Sequence, residues 1–276
     1  MDVFIHNRAF RQLSLANFFS MVGDKLFYLA MMTYVSTLPN AQFAIGLLTA
    51  SELIPQMFSS YTGYLADSTR KRARFLILSD LFRSGIYLLV GSLFVLDVTG
   101  WFIIGTIALL NLISDFYGTY ASGLRQPLIV RVTGESEFVQ ASGFTQSMSQ
   151  ILSIMAQFAG ASLLFIVTYA QLAVVNALTF FLSGTIMFIF FKRHKVLCIN
   201  EHFSSEQSQQ SFRKVIITSI HTLKDETSLL GVISAVVFLN GLLSSLVPIL
   251  QMLIVADKHL IVGSYGFTLV LLNVTV

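Results

Sequence analysis

The stretch from Gln171 to Phe191 reads QLAVVNALTFFLSGTIMFIFF and contains no charged residue. A helix needs about 20 predominantly apolar residues to cross the hydrocarbon core of a bilayer, and this stretch has that length. It does not show the alternation of polar and apolar residues that is typical of strands in a membrane barrel. Since backbone polar groups inside lipid must be satisfied within the segment, the stretch predicts a transmembrane helix.

The composition of the whole chain points the same way. Of its 276 residues, 55% are hydrophobic and 11% charged, and the mean hydropathy is +0.75, whereas soluble domains carry about a quarter charged residues. These values exclude a water-soluble globular domain. A single cysteine, Cys198, excludes a disulfide-stapled domain and a cysteine-based zinc module. The net charge of +3 comes without a basic recognition helix, so no nucleic-acid partner is expected.

We therefore predict an all-α polytopic membrane protein with seven complete spans and the start of an eighth. The seven spans are Leu13–Leu38, Phe43–Ala66, Phe75–Leu96, Trp101–Ser122, Phe138–Tyr169, Gln171–Phe191 and Leu229–Ala256. After the seventh span, Gly263–Val276 supplies only 14 residues of an eighth helix, which is too few to cross the membrane.

The spacing of these spans divides the chain into three parts. Residues 1–191 form a predicted six-helix N-terminal bundle, and residues 192–228 form a polar, Ser- and Gln-rich cytoplasmic linker. Within the linker, Phe212–Lys224 has apolar residues at helical spacing, which predicts an amphipathic helix along the inner membrane face. Residues 229–276 are the start of an incomplete C-terminal bundle.

The distribution of basic residues predicts the orientation. If the N-terminus is cytoplasmic, 14 of the 17 Lys and Arg residues fall in cytoplasmic segments, while the outer connections hold only Lys258. The positive-inside rule therefore predicts a multi-pass plasma-membrane protein with its N-terminus in the cytoplasm, and we expect the membrane to be a bacterial inner membrane. No cleavage site follows the first apolar stretch, so no removable signal peptide is expected.

Polar residues recur every three or four positions in the first, second, fourth and fifth spans. The predicted cavity residues are Asp24, Tyr28, Glu52, Gln56, Asn111, Gln146 and Gln157. Stripes of Asn, Gln and Ser also serve helix packing. A carboxylate in hydrocarbon is costly unless paired or hydrated, and neither Asp24 nor Glu52 has an evident basic partner one turn away. We therefore expect these four helices to surround a water-accessible cavity, with Asp24 and then Glu52 as its titratable groups.

The third and sixth spans carry few polar residues and are expected to face lipid. Asp80 and Arg83 lie three apart near the inner end of the third span, where they could neutralise each other. All five histidines fall outside the spans without metal-ligand spacing, so neither a metal nor another cofactor is expected. An intramembrane enzyme would need a nucleophile with a base or two catalytic aspartates in their motifs, and the spans contain neither. We do not expect an enzyme.

The connection after the second span carries a recognisable motif. Residues 63–74 read GYLADSTRKRAR, which resembles the signature loop of the major facilitator superfamily, Gly-x-Leu-Ala-Asp-x-x-Gly-Arg-Lys/Arg-x-Arg. The matching residues are Gly63, Leu65, Ala66, Asp67, Lys71, Arg72 and Arg74, while Arg70 replaces the second Gly. With Gly23-Asp24, Leu78–Arg83 and Gln140–Ser147, the chain is similar to the macrolide-exporter branch of drug efflux permeases.

This resemblance implies two six-helix halves that rock around a midplane site and export a lipophilic drug, such as a macrolide antibiotic, in exchange for protons. It also implies a conformational latch, formed by Gly63, Asp67, Lys71, Arg72 and Asp115. The chain lacks the Gly-Pro pair of the antiporter motif at Phe158–Ala161, and it covers little more than half of a twelve-span permease.

The expected partners are the bilayer, protons, a small lipophilic substrate, and a second copy or a separately encoded C-terminal half. The alternative is a truncated, non-transporting remnant or an interaction subunit of such a permease.

Overall fold

The computed structural model describes residues 2–36, 38, 40–96, 101–163, 167–194, 212–225 and 227–256. These residues form helices and no strand, which confirms the predicted all-α class. The helices of this part of the chain are α1 (Asp2–His6), α2 (Arg8–Ser36), α3 (Ala41–Met57), α4 (Ser59–Ser68), α5 (Arg72–Val95), α6 (Trp101–Leu163), α7 (Tyr169–Arg193), α8 (Phe212–Asp225) and α9 (Thr227–Ala256). The predicted eighth span, Gly263–Val276, lies outside the described residues.

Three of these helices are long and apolar enough to cross a membrane: α5, the segment Trp101–Ala156 of α6, and α7. They support the membrane character that the composition predicts. The first predicted span coincides with α2 from Leu13 to Ser36. This helix carries Asp24 and Lys25 near its middle and is less apolar than α5 or α7. Among the described residues, three helices meet the length and hydropathy expected of a membrane span, whereas the sequence predicts seven complete spans.

The helix α6 contains the fourth predicted span and the part of the fifth that runs from Phe138 to Leu163. With 63 residues it would be about 95 Å long if it were straight, roughly three times the thickness of the hydrocarbon core. At Gly134 the backbone leaves the helical conformation, with φ 74° and ψ 167°. Only glycine adopts this conformation readily, so Gly134 separates the two spans.

The second predicted span is also divided. The structure ends α3 at Met57 and begins α4 at Ser59, with Phe58 between them. Pro55 lies inside the last turn of α3 and cannot donate the backbone hydrogen bond that a continuous helix requires. The predicted continuous span Phe43–Ala66 is therefore two helices.

The core lies between α2, α5 and α7. The rings of Phe27 and Tyr87 have centroids 4.9 Å apart, and Tyr87 stacks on Phe180 at 5.5 Å. The outward faces of α5 and α7 expose large apolar side chains such as Leu88 and Leu178. The third and sixth spans therefore have an exposed outer face, as expected, and an inner face that forms the centre of the bundle.

The predicted amphipathic segment of the linker is the helix α8. The ring of Phe212 packs against those of Tyr61 and Tyr64 in α4, with centroid distances of 5.3 Å in both pairs. The first residue of α8 is therefore held on the helix that leads into the motif loop.

Candidate functional site

A cavity of about 420 Å³ opens between α2, α3 and the two parts of α6, and α5 contributes Arg83 to it. Its volume falls in the range of about 300–1,000 Å³ that is typical of small-molecule sites. The residues that line it are Asn17, Ser20, Met21, Asp24, Lys25, Glu52, Pro55, Gln56, Arg83, Asp115, Gly118, Thr119, Ser122, Arg125, Gln126, Thr145, Gln146 and Ser149. The structure thus brings together the polar faces of the first, second, fourth and fifth predicted spans.

Most of the predicted cavity residues lie in or beside this cavity. Its lining includes Asp24, Glu52, Gln56 and Gln146. Asn111 lies just behind the lining, where its amide donates a hydrogen bond to Oδ2 of Asp115 at 3.0 Å. Tyr28 does not line the cavity but packs against the apolar core cluster. The side chain of Gln157 lies outside the described part of the structure.

Arg83 lies at the centre of the charged groups. Its Nη2 is 2.5 Å from Oδ2 of Asp24 and 3.8 Å from Oδ1 of Asp115. Its Nε donates to the hydroxyl of Ser114 at 3.0 Å, and its Cζ lies 4.0 Å above the centre of the Phe180 ring. With only 3% of its side chain exposed, Arg83 is a buried cation shared between two carboxylates.

A second buried pair joins Asp80 to Arg125. Nη2 of Arg125 lies 3.2 Å from each carboxylate oxygen of Asp80, and the Ser183 hydroxyl donates to Oδ2 at 2.7 Å. Nη1 of Arg125 donates to Oδ1 of Asn17 at 3.0 Å. This pair connects α5 and α6 to α7 and α2 in the interior of the bundle.

These contacts correct the prediction that Asp80 and Arg83 neutralise each other. Both residues are on the inner face of α5, but each meets an oppositely charged side chain on another helix. Arg125, which the sequence assigns to a cytoplasmic connection, is instead buried within α6. The spacing of residues along the sequence shows only which side chains are neighbours on the same helix, so it could not identify partners on other helices.

The two predicted titratable carboxylates have basic partners on other helices, which the sequence did not identify. Asp24 pairs with Arg83, and Oε1 of Glu52 lies 3.7 Å from Nζ of Lys25. The side chains of Lys25 and Glu52 are 38% and 25% exposed, so this pair is partly open to the cavity. An exposed pair of this kind contributes little to stability.

The motif loop lies apart from these charges. Gly63 and Asp67 belong to α4, Lys71 precedes α5 and Arg72 begins it. Arg72 donates from Nη2 to the backbone oxygen of Asp67 at 3.0 Å, while the Asp67 side chain is exposed. Asp115, the fifth predicted latch residue, lies in the cavity beside Arg83.

The helices α4 and α6 approach closely at Gly123. A Cβ added to Gly123 of α6 would lie 2.9 Å from the Cβ of Ala66 and 3.6 Å from the Cα of Gly63. The two helices therefore approach closely where both carry small residues. The hydroxyls of Thr69 and Tyr120, 2.7 Å apart, also connect the motif loop to α6.

Sequence reasoning missed Arg83, Asp80 and Arg125 as members of the charged network. The available signal was their position: each lies in a helical segment with few other charges, and a charge in such a segment requires a partner. Among the described residues, no group of three or more His, Cys, Asp or Glu side chains is placed to hold a metal ion.

The chain matches no known protein family, no curated protein and no solved structure.

Proposed function

We propose that this chain is the N-terminal portion of a secondary active transporter of the major facilitator type, which moves a small molecule by alternating access. In this proposal it lies in a plasma membrane with its N-terminus in the cytoplasm. The proposal rests on the cavity, which is lined by ionisable side chains and lies between helices of which some are long and apolar enough to cross a membrane. Charged groups in such a setting are costly and are typical of solute and ion pathways.

The proposal includes proton coupling at Asp24. Its Oδ1 is buried and accepts no hydrogen bond from the described residues, while its Oδ2 pairs with Arg83. A proton on Oδ1 would neutralise the carboxylate and weaken its hold on the guanidinium. Arg83 would then turn to Asp115, whose Oδ1 is already 3.8 Å away. Exchange of one cation between two carboxylates links proton binding to the relative positions of α2, α5 and α6.

The lipophilic substrate that the family resemblance implies stays a prediction. Among the described residues that line the cavity, only Met21 and Pro55 have apolar side chains. Alternating access also requires a second bundle facing this one, which a second copy or a separate C-terminal half would supply.

The alternative of a non-transporting interaction subunit has one observation in its favour. In α9, every described side chain from Leu230 to Leu242 is exposed, including the large apolar side chains of Ile233, Phe238 and Leu239. A helical segment exposed on all sides presents a surface to lipid or to another membrane helix.

Flux measurements separate the two functions. The full chain would be reconstituted into liposomes containing a pH-sensitive dye, and proton movement would be followed after addition of ethidium or a macrolide under an imposed pH gradient. Transport predicts solute-dependent proton flux, which Asp24→Asn abolishes and the exposed-carboxylate control Glu135→Gln retains. Wild-type flux with unchanged pH dependence in Asp24→Asn would exclude Asp24 as the coupling group. Stable insertion without flux for any solute would favour the interaction subunit.

A further inference from the structure

The cavity lining is hydrophilic to an unusual degree. Of its 18 residues, six are ionisable, four carry side-chain amides and five carry hydroxyl groups. Sites for drug-like ligands are lined mainly by apolar and aromatic side chains. A lipophilic molecule would displace water from these polar groups without replacing its hydrogen bonds, which is unfavourable. The lining therefore fits a ligand that itself carries hydrogen-bonding groups.

The charges in and behind the lining do not balance. Three ion pairs account for six of the seven charged side chains: Asp24 with Arg83, Asp80 with Arg125, and Glu52 with Lys25. The seventh is Asp115. It shares Arg83 at 3.8 Å with the closer Asp24, and its other oxygen accepts a hydrogen bond from the neutral amide of Asn111 at 3.0 Å. With all groups ionised, the cluster has one excess negative charge.

The excess charge is accessible from the cavity. Asp115 belongs to the lining, and 21% of its side chain is exposed. The buried Oδ1 of Asp24 is a second acceptor without a hydrogen-bond donor among the described residues. Both carboxylates contact Arg83, and the amide side chains of Gln56 and Gln146 belong to the same lining.

We infer that the cavity binds a small hydrophilic organic monocation, and that Asp115 is its counter-ion. One positive charge neutralises the cluster, a neutral ligand leaves the excess charge in place, and an anion adds to it. Hydroxyl groups on the ligand would meet the amide and hydroxyl side chains of the wall. The inference rests on the proposed function for the role of the cavity, and it replaces the lipophilic drug with a polar cation as the substrate class.

Three molecules with the same polyol frame test the charge selectivity: N-methyl-D-glucamine is a cation at neutral pH, D-sorbitol is neutral and D-gluconate is an anion. Binding of each to the full chain in detergent would be measured by titration calorimetry. We expect N-methyl-D-glucamine to bind at least about tenfold more tightly than sorbitol, because it contacts one unscreened opposite charge. Gluconate should bind most weakly, because its charge has the same sign as that of the cluster.

Two substitutions test the assignment to Asp115. Asp115→Asn should bring the affinity for N-methyl-D-glucamine close to that for sorbitol, and it should leave sorbitol binding unchanged. Gln146→Glu, at an exposed position of the lining, should increase the preference for the cation, and it remains informative if Asp115→Asn does not fold. The control Glu135→Gln removes one carboxylate outside the cavity and should change neither affinity.

The lipophilic cation tetraphenylphosphonium separates this inference from the proposed function. Tighter binding of tetraphenylphosphonium than of N-methyl-D-glucamine, equal binding of the three polyols, or binding of none of them would overturn the inference. None of these results bears on proton flux with ethidium or a macrolide, which tests the proposed function. Conversely, if N-methyl-D-glucamine binds selectively but no solute causes proton flux in liposomes, the inference is retained and transport by this chain is rejected.

Discussion

Removing the charge of Asp80 is the sharpest test of the buried network. Asp80 is fully buried, and the side chain of its partner Arg125 is 10% exposed. In Asp80→Asn the amide can still accept the hydrogen bond from Ser183, so the main change is an unpaired guanidinium in the interior. Breaking a buried ion pair from one side costs about 3–5 kcal/mol, because the remaining charge is left without compensation.

This cost predicts a large change in thermal stability. For a domain of this size, 1 kcal/mol corresponds to about 2–4 °C in Tm, so Asp80→Asn should lower Tm by about 6–20 °C. The measurement is thermal unfolding of the purified chain in detergent, followed by circular dichroism of the helices. Ser183→Ala removes one hydrogen bond to the same carboxylate and should cost only about 1–3 kcal/mol.

The double variant Asp80→Asn/Arg125→Gln distinguishes a charge effect from a general loss of packing. Both charges are absent from it, so it should be more stable than the sum of the two single changes predicts, with a coupling of about 0.5–3 kcal/mol. Additive effects would show that Asp80 and Arg125 do not interact energetically. A decrease in Tm of less than about 2 °C for Asp80→Asn would refute the argument from burial.

The remaining predictions concern four glycines and the motif loop. Gly134→Ala should destabilise the protein by about 1–3 kcal/mol, because a Cβ there has space but the backbone conformation is strained for alanine. Gly143→Ala, inside the helix and with open space around the added Cβ, should stabilise the protein by about 0.5–1 kcal/mol. Equal Tm values for the two variants would disprove the break in α6. Gly118→Ala places a Cβ 3.2 Å from the guanidinium of Arg83 and should lower Tm, while Gly105→Ala, with no neighbour within 4 Å, should raise it slightly. Asp67→Asn should insert normally but reduce flux in liposomes, and wild-type flux would remove the latch from the proposed function.

The helical class and the membrane character were predictable because they depend on local sequence. A transmembrane helix satisfies its backbone hydrogen bonds within one segment, so a run such as Gln171–Phe191 is sufficient to indicate it. The polar faces of the spans were predictable for the same reason, since residues three or four apart share a helix face. Asp24, Glu52, Gln56 and Gln146 could therefore be assigned to one cavity before the structure was known.

Only the tertiary structure decided which charges are partners and where the helices break. Arg83 is 59 residues from Asp24, and Arg125 is 45 residues from Asp80, so no local spacing connects them. The sequence predicts that the fourth and fifth spans are separate, but the position of the break at Gly134 depends on the backbone conformation of one residue. Electrostatic energy depends on distance in space and on the surrounding dielectric. The packing of α2, α5 and α6 therefore determines that Asp24 is paired with Arg83 and that Asp115 has no basic partner of its own among the described residues.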